Sequence, residues 1–114
     1  MSLDTVTELA ARQLNAYNRA DLDAFCGCYH EDVSVLAEDG SEIARGQTAF
    51  RARYESLFAT RAFGATVETR VSVGVHCVDH ERYWREADGA REEGEVIVRY
   101  RLRDGRIDEV QFFR

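Results

Sequence analysis

The sequence has no proline and no lysine, and only three cysteines, Cys26, Cys28 and Cys77. An odd count without disulfide spacing argues against a disulfide framework and suits a reducing compartment, where such residues serve as small buried hydrophobes. The missing proline and lysine carry no functional reading. No apolar run approaches the roughly 18 to 20 residues that cross a bilayer, and the first twenty residues carry Asp4, Glu8 and Arg12 where a signal peptide would be apolar. The expected location is cytoplasmic, with no membrane partner. A basic stripe is also missing. The net charge of −6 would repel phosphate backbones, so no nucleic acid partner is expected. Neither His30, His76 and Cys77 nor the acidic group Glu92, Glu93 and Glu95 has the ordered spacing of a metal site, and no metal or cofactor is expected.

What is present belongs to a folded domain. With 114 residues, 45% apolar and 32% charged, the chain can bury one core and is too short for two ordinary domains, so residues 1–114 form a single domain. Val6, Leu9, Ala10, Leu14 and Tyr17 share one side of a helical wheel over roughly residues 4 to 19. Gln13 falls inside that apolar stripe, where an amide must find hydrogen-bond partners. Asp21 can cap a second short helix carrying Leu22, Phe25, Cys26 and Tyr29 on one face. Val33 to Leu36 predicts a strand, Glu38 to Ser41 a turn, and Ile43 a second short strand. Gly46-Gln47-Thr48 opens a third helix with Phe50, Tyr54, Leu57 and Phe58 on one face, ending near Gly64. From Ala65 onward the pattern is β, with Gly74 and the Asp-Gly pairs at 88–89 and 104–105 separating four strands of an antiparallel meander.

Turn length decides which residues of that meander face inward, because a one-residue slip reverses every side chain. Two-residue turns at both Asp-Gly pairs would split Val110 and Phe112 from Val96, Val98 and Tyr100. Three-residue loops, each with glycine in a bulge, gather Val78, Val96, Val98, Tyr100, Val110 and Phe112 on one face. They also put Asp79, Glu81 and Glu109 beside Arg99 and Arg101 on the other, as cross-strand charge pairing favours. Three-residue loops are the preferred reading. His80, Arg82 and Trp84 then join the inward face, with His76 further along.

Several short matches occur in order: Ala16-Tyr17-Asn18 before Asp21-Leu22-Asp23-Ala24-Phe25, then Tyr29-His30-Glu31-Asp32-Val33, Ala44-Arg45-Gly46, Asp79-His80-Glu81 and Asp104-Gly105-Arg106-Ile107. Their order and spacing resemble the nuclear transport factor 2-like superfamily, which includes SnoaL-like proteins and ketosteroid isomerases, over nearly the whole chain. The resemblance implies an α+β, cone-shaped, cystatin-like fold in which three N-terminal helices pack on a curled antiparallel sheet and enclose a pocket. It also implies a homodimer formed through the outer sheet face. Ketosteroid isomerases use a tyrosine on the first helix and two aspartates on strands; the matching positions fall near Gln13, Ala37 and Val98, which supply neither phenol nor carboxyl. Glu38 and Asp39 adjoin Ala37, so a base there stays open, but the family's steroid chemistry is not expected.

Within an inward face so assigned, His80 is the candidate catalytic residue, a general base titrating near neutrality; the alternative is a structural histidine bonded to Gln13, Arg82 or backbone. Arg82 could hold an anionic or carbonyl ligand, or pair with Glu93 or Glu95 at the strand end. Tyr17, Tyr54, Phe58, Trp84, Tyr100 and Phe112, with Val98 and Gln13, are the candidate ligand-binding residues, Trp84 at the rim. The leading reading is a domain that binds a compact apolar or aromatic small molecule. The alternative is an enzyme of the isomerase, cyclase or dehydratase type working through His80. A third reading is an interaction module using Tyr83, Ile97, Ile107 and Phe113 on the outer sheet face.

Overall fold

The computed structural model describes residues 5–114, so the helix start expected at residue 4 lies outside the described residues. The chain runs α1 (Val6–Asn18), α2 (Leu22–Gly27), β1 (Tyr29–Leu36), β2 (Glu42–Arg45), α3 (Gly46–Thr60), β3 (Phe63–Val73), β4 (His76–Ala87), β5 (Ala90–Arg103) and β6 (Arg106–Phe113). Capping sets the first two helices: Thr5 Oγ1 accepts from the Glu8 amide at 3.1 Å, and Asp21 Oδ1 from the Ala24 amide at 3.1 Å. Tyr29, expected on the second helix, instead opens β1. Gln47 ties the start of α3 to that junction, donating from Nε2 to the carbonyls of Cys26 at 3.0 Å and Tyr29 at 2.8 Å. At the end of α1, Asn18 acts like a strand backbone, donating to Ala65 O at 2.9 Å and accepting from Ala65 N at 2.8 Å, which fixes the helix against β3.

The six strands form one sheet in the order β2-β1-β6-β5-β4-β3. Neighbours are antiparallel except β1 and β6, which run parallel. The three helices pack on one face of this curled sheet, and the core fills the space between. At its centre is a cluster of rings in which Phe25 meets Tyr17, Tyr29, Phe50, Tyr54 and Phe58 at centroid distances of 4.9 to 5.9 Å. Phe50 is fully buried.

The meander corrects the loop reading in one respect and recovers it in another. Ala87 pairs with Ala90 and Arg103 with Arg106, so both Asp-Gly connections are two-residue turns. Asp88 and Gly89 have φ of 53° and 77°, and Asp104 and Gly105 of 51° and 79°, the left-handed pair such tight hairpins require. Along β4 the ladder stays regular, so Cys77, Asp79, Glu81, Tyr83 and Arg85 share the inner face with Val96, Val98 and Tyr100 of β5. His76, Val78, His80, Arg82 and Trp84 face outward, the reverse of the expectation. Along β6 a bulge intervenes: Leu102 pairs with Ile107 and Arg101 with Glu109, leaving Asp108 unmatched. That extra residue returns Val110 and Phe112 to the face of Val98 and Tyr100, as expected, although the bulge sits within the strand and not at the turn. Ile107 is fully buried and Tyr83 faces inward, so of the four residues proposed for an outer interaction surface only Ile97 and Phe113 lie there.

Inward placement of Asp79 is tolerated because Arg70 meets it with both prongs, Nε to Oδ1 at 2.7 Å and Nη2 to Oδ2 at 2.9 Å. Asp79 is 0% exposed. Asp79→Asn leaves the part-buried guanidinium without its charge partner and is expected to cost roughly 3–5 kcal/mol in urea denaturation. His80→Ala breaks a solvent-facing pair and should cost under about 1 kcal/mol. A β4 register slipped by one residue would reverse that order.

Candidate functional site

Between the helices and the inner sheet face lies a cavity of about 200 Å³. Its deep wall is built by buried residues from four elements: Gln13 of α1, Tyr29 of β1, Glu81 of β4 and Tyr100 of β5. They form a hydrogen-bonded series. The Tyr29 hydroxyl donates to Gln13 Oε1 at 2.9 Å; Gln13 Nε2 donates to the Ala10 carbonyl at 3.0 Å and to the Tyr100 hydroxyl oxygen at 3.0 Å; Tyr100 donates to Glu81 Oε2 at 3.1 Å. Direction follows from valence. Both amide protons of Gln13 are used and its oxygen already accepts, so the one proton of Tyr100 points at Glu81. The polar residue in the apolar stripe of α1 thereby finds the partners its burial requires, and it orients a donor toward the carboxyl.

Among the described residues that line the cavity, Glu81 alone has a carboxylate side chain. It is 8% exposed, and among the described residues Tyr100 is its one side-chain hydrogen-bond partner. Burial raises its pKa from 4.5 to about 7; the negative charge of Asp79 adds to the rise, while the Tyr100 hydrogen bond and the Arg70 guanidinium oppose it. The phenols around it are shifted away from neutrality. Desolvation pushes Tyr17 and Tyr54 up to about 12, and Tyr29 and Tyr100 well above their ordinary value. Near pH 7 Glu81 can therefore exchange a proton beside four phenols, Tyr17, Tyr29, Tyr54 and Tyr100, that keep theirs.

The sequence expectations divide on this geometry. Gln13, Tyr17, Tyr54, Val98, Tyr100 and Phe112 all line the cavity. Phe58 belongs to the ring cluster beside it, 5.5 Å from Tyr17 and 5.1 Å from Phe25. His80, Arg82 and Trp84 are corrected to the outer sheet face. His80 Nε2 lies 2.7 Å from Glu95 Oε1 there. Arg82 pairs with Glu68 at 3.1 Å and Glu95 at 3.6 Å, the second being one of the partners considered for it. Trp84 lies over Gly64, where a Cβ would come within 2.7 Å of its indole nitrogen, and under the Arg91 guanidinium at 4.5 Å. The physical reason is the same for all three: a two-residue turn without a compensating bulge fixes their side of β4. Glu81 and Arg85 were missed on that account. The available signal was the alternation Asp79, Glu81, Tyr83, Arg85 read with the tighter turn. Ala37 is bound through its carbonyl to Gln111 and does not line the cavity, nor do Glu38 and Asp39. Among the described residues no group of His, Cys, Asp and Glu is arranged to hold a metal ion, and no helix is long and apolar enough to cross a membrane.

The raised pKa of Glu81 has a consequence for stability. A carboxyl whose folded pKa exceeds its unfolded one stabilises the fold fully below about pH 4.5, and that contribution disappears as pH rises through about 7, a change of about 3 kcal/mol. Glu81→Gln removes the titration. Relative to wild type the variant should gain on the order of 3 kcal/mol between about pH 5 and pH 8 in urea denaturation. A difference independent of pH would put the carboxyl at its ordinary value.

Solved structures share this architecture. An uncharacterised cystatin-fold protein from Novosphingobium aromaticivorans superposes with a TM-score of 0.86 at 22% identity, covering 97% of this chain and 99% of the other. A candidate SnoaL-like polyketide cyclase from a Jannaschia species gives 0.80 at 17% identity, covering 95% and 83%. AclR, a candidate hydroxylase from Streptomyces galilaeus, gives 0.78 at 17% identity, covering 95% and 86%. At these identities the likeness carries the fold alone. Among curated proteins none matches in sequence. The SnoaL-like domain family matches residues 10–110, nearly the whole chain; the protein belongs to the SnoaL-like domain family.

Proposed function

We propose that the protein binds a compact carbonyl compound and catalyses proton transfer at it, with Glu81 as general base and then general acid. The observation that carries this reading is the buried Glu81 carboxyl on the cavity wall, held among the described residues by Tyr100 and poised near pH 7. In the forward step Glu81 takes a proton from the carbon beside the carbonyl, and the C–H electron pair moves to form an enolate oxygen. The protonated carboxyl then returns the proton to a carbon or oxygen of the same molecule. Phenols that stay protonated, Tyr17 and Tyr54, line the same cavity and supply donors for the enolate oxygen. The isomerase, cyclase or dehydratase alternative thus passes from His80 to its neighbour in the chain. The cyclase name of one structural relative fits enolate chemistry. A cavity of about 200 Å³ is smaller than the roughly 300–1,000 Å³ of drug-sized sites, which favours a one-ring substrate.

The reading includes a homodimer through the outer sheet face, supported by Val71, Val78 and Ile97, exposed there at 58%, 37% and 37%. Light scattering should give twice the chain mass, and Ile97→Arg should return it to one; a monomeric wild type removes this part.

Hydrogen–deuterium exchange at the α-carbon tests the chemistry without the natural substrate. Incubated in D2O with a panel of small aryl ketones and 1,3-dicarbonyls, the wild type should accelerate exchange of at least one member, the rate rising with an apparent pKa near 7 as Glu81 ionises. Burial above all, then Tyr100, Asp79 and Arg70, set that value, with Tyr83, Arg85, Tyr29 and Gln13 also facing the site. Glu81→Gln should lower the rate by roughly 10²–10⁴. Tyr100→Phe should move the apparent pKa upward, because it removes the hydrogen bond that favours the anion. Exchange unaffected by Glu81→Gln would remove the proposal.

A further inference from the structure

We infer that the cavity selects molecules carrying a carboxylate, gripped at the mouth by Arg85 with Arg53 and Arg114, while the uncharged end reaches inward to Glu81. The choice of which end goes inward rests on the catalytic reading of Glu81.

The lining contains three arginines from three parts of the chain: Arg53 from α3, Arg85 from the inner row of β4 and Arg114 just beyond β6. Arg53 and Arg114 are exposed and Arg85 half-buried, so they mark the open side, whereas Glu81 and Tyr100 are buried. Carboxylates outnumber basic residues in this chain, 21 to 15. Arginines elsewhere draw on that excess: Arg70 meets Asp79 at 2.7 Å, Arg99 meets Glu109 at 2.5 Å and Arg101 meets Asp108 at 2.9 Å. Among the described residues, none of the guanidinium groups of Arg53, Arg85 and Arg114 has a carboxylate within ion-pairing distance; the Glu38 carboxylate beside Arg114 accepts from its backbone amide, at 2.9 Å. Even Glu92, directly across the ladder from Arg85, makes no such pair with it.

Arg85 is the strongest of the three. Its Nε is buried and, among the described residues, finds no hydrogen-bond acceptor. A buried donor on a charged group is costly to leave unmet, and folded proteins rarely do so without a use for it. The guanidinium lies over the Tyr83 ring, 4.9 Å from carbon to centroid, a packing that holds its plane. A planar fork of N–H donors so held matches the two oxygens of a carboxylate, which a neutral amide or ketone matches less well.

The charges are also segregated along the cavity. Among the described side chains that line the cavity, the arginines are at the mouth and Glu81 lies deeper, so an anionic group is repelled from Glu81 and drawn to Arg85. A molecule with a carboxylate at one end and a ring or carbonyl at the other can enter only one way round. The class this implies is a small aryl or keto carboxylic acid.

A matched pair of probes tests it. 3-Phenylpropionate and 3-phenylpropanamide differ little beyond the charged group, and isothermal titration calorimetry at about pH 7 gives their relative affinities. Wild type should bind the carboxylate roughly tenfold more tightly than the amide. Arg85→Gln should reduce the preference to under about threefold and leave the melting curve cooperative; Arg53→Gln with Arg114→Gln, both at exposed positions, should reduce it in part. Glu81→Gln should keep the preference. Equal affinity for the two probes, binding of neither, or a preference intact in Arg85→Gln would overturn the inference. Loss of the carboxylate preference with Glu81-dependent exchange retained would sink this inference alone, and the reverse result would sink the catalytic reading alone.

Discussion

Side chains alternate across a strand, so the two-residue turn at Asp88-Gly89 decides which half of β4 reaches the interior. With Asp88 and Gly89 both left-handed, Ala87 pairs with Ala90 and the ladder runs without a bulge to His76 and Arg101. The polar residues that β4 gives the cavity follow from that register. Asp79, Glu81, Tyr83 and Arg85 turn inward as a set, and His76, His80, Arg82 and Trp84 turn outward as a set. A single inserted residue in the loop would exchange them, replacing an acid in the interior with a histidine.

Two carboxyls brought inward by one strand meet different fates, and the difference is in their neighbours. Asp79 receives both prongs of Arg70. Among the described residues Glu81 receives one phenol and no cation within hydrogen-bonding reach. Burial of an unpaired carboxylate is resolved by proton uptake, which is why its pKa moves to about 7. The Gln13 bridge from Tyr29 to Tyr100 keeps that phenol aimed at the carboxyl, so the site depends on a glutamine on α1 as much as on the acid itself.

Much of the fold was legible because it depends on local rules. The stripe from Val6 through Tyr17, the Asp21 cap, the Gly46 opening and the two Asp-Gly turns each carry their own physical signature, and α1, α2, α3 and the meander fall where those signatures place them. Gln13 was legible as well, since an amide in an apolar stripe must be bonded to something. The side of β4 was not legible, because it turns on a competition between faces. Grouping Val78 with the apolar residues and pairing Asp79 and Glu81 with outer arginines is the cheaper arrangement by surface patterning. It fails because Val78 is tolerated exposed, at 37%, and Asp79 is paid for by Arg70 from β3. Nor does local sequence announce the Asp108 bulge, whose carboxylate is clamped by Arg101 and Arg103 at 2.9 Å. The expectation for β6 came out right by a different route, since a bulge inside the strand does what a longer turn would have done.

A domain of this size has little core to spare, and an open volume of about 200 Å³ between helices and sheet forgoes packing that neighbouring side chains could provide. Among the described residues the interior adds an acid without an ion-pair partner and a buried guanidinium nitrogen without an acceptor. Local consistency is broken at the wall of one cavity, while the ring cluster around Phe25 and Phe50 beside it is closely packed. Departures from packing and pairing that gather at one place, with an acid deep and arginines at the mouth, are what the proposed site for a polar ligand would require. That concentration is why the proposal rests on Glu81 and Arg85 together and not on the properties of either residue taken alone.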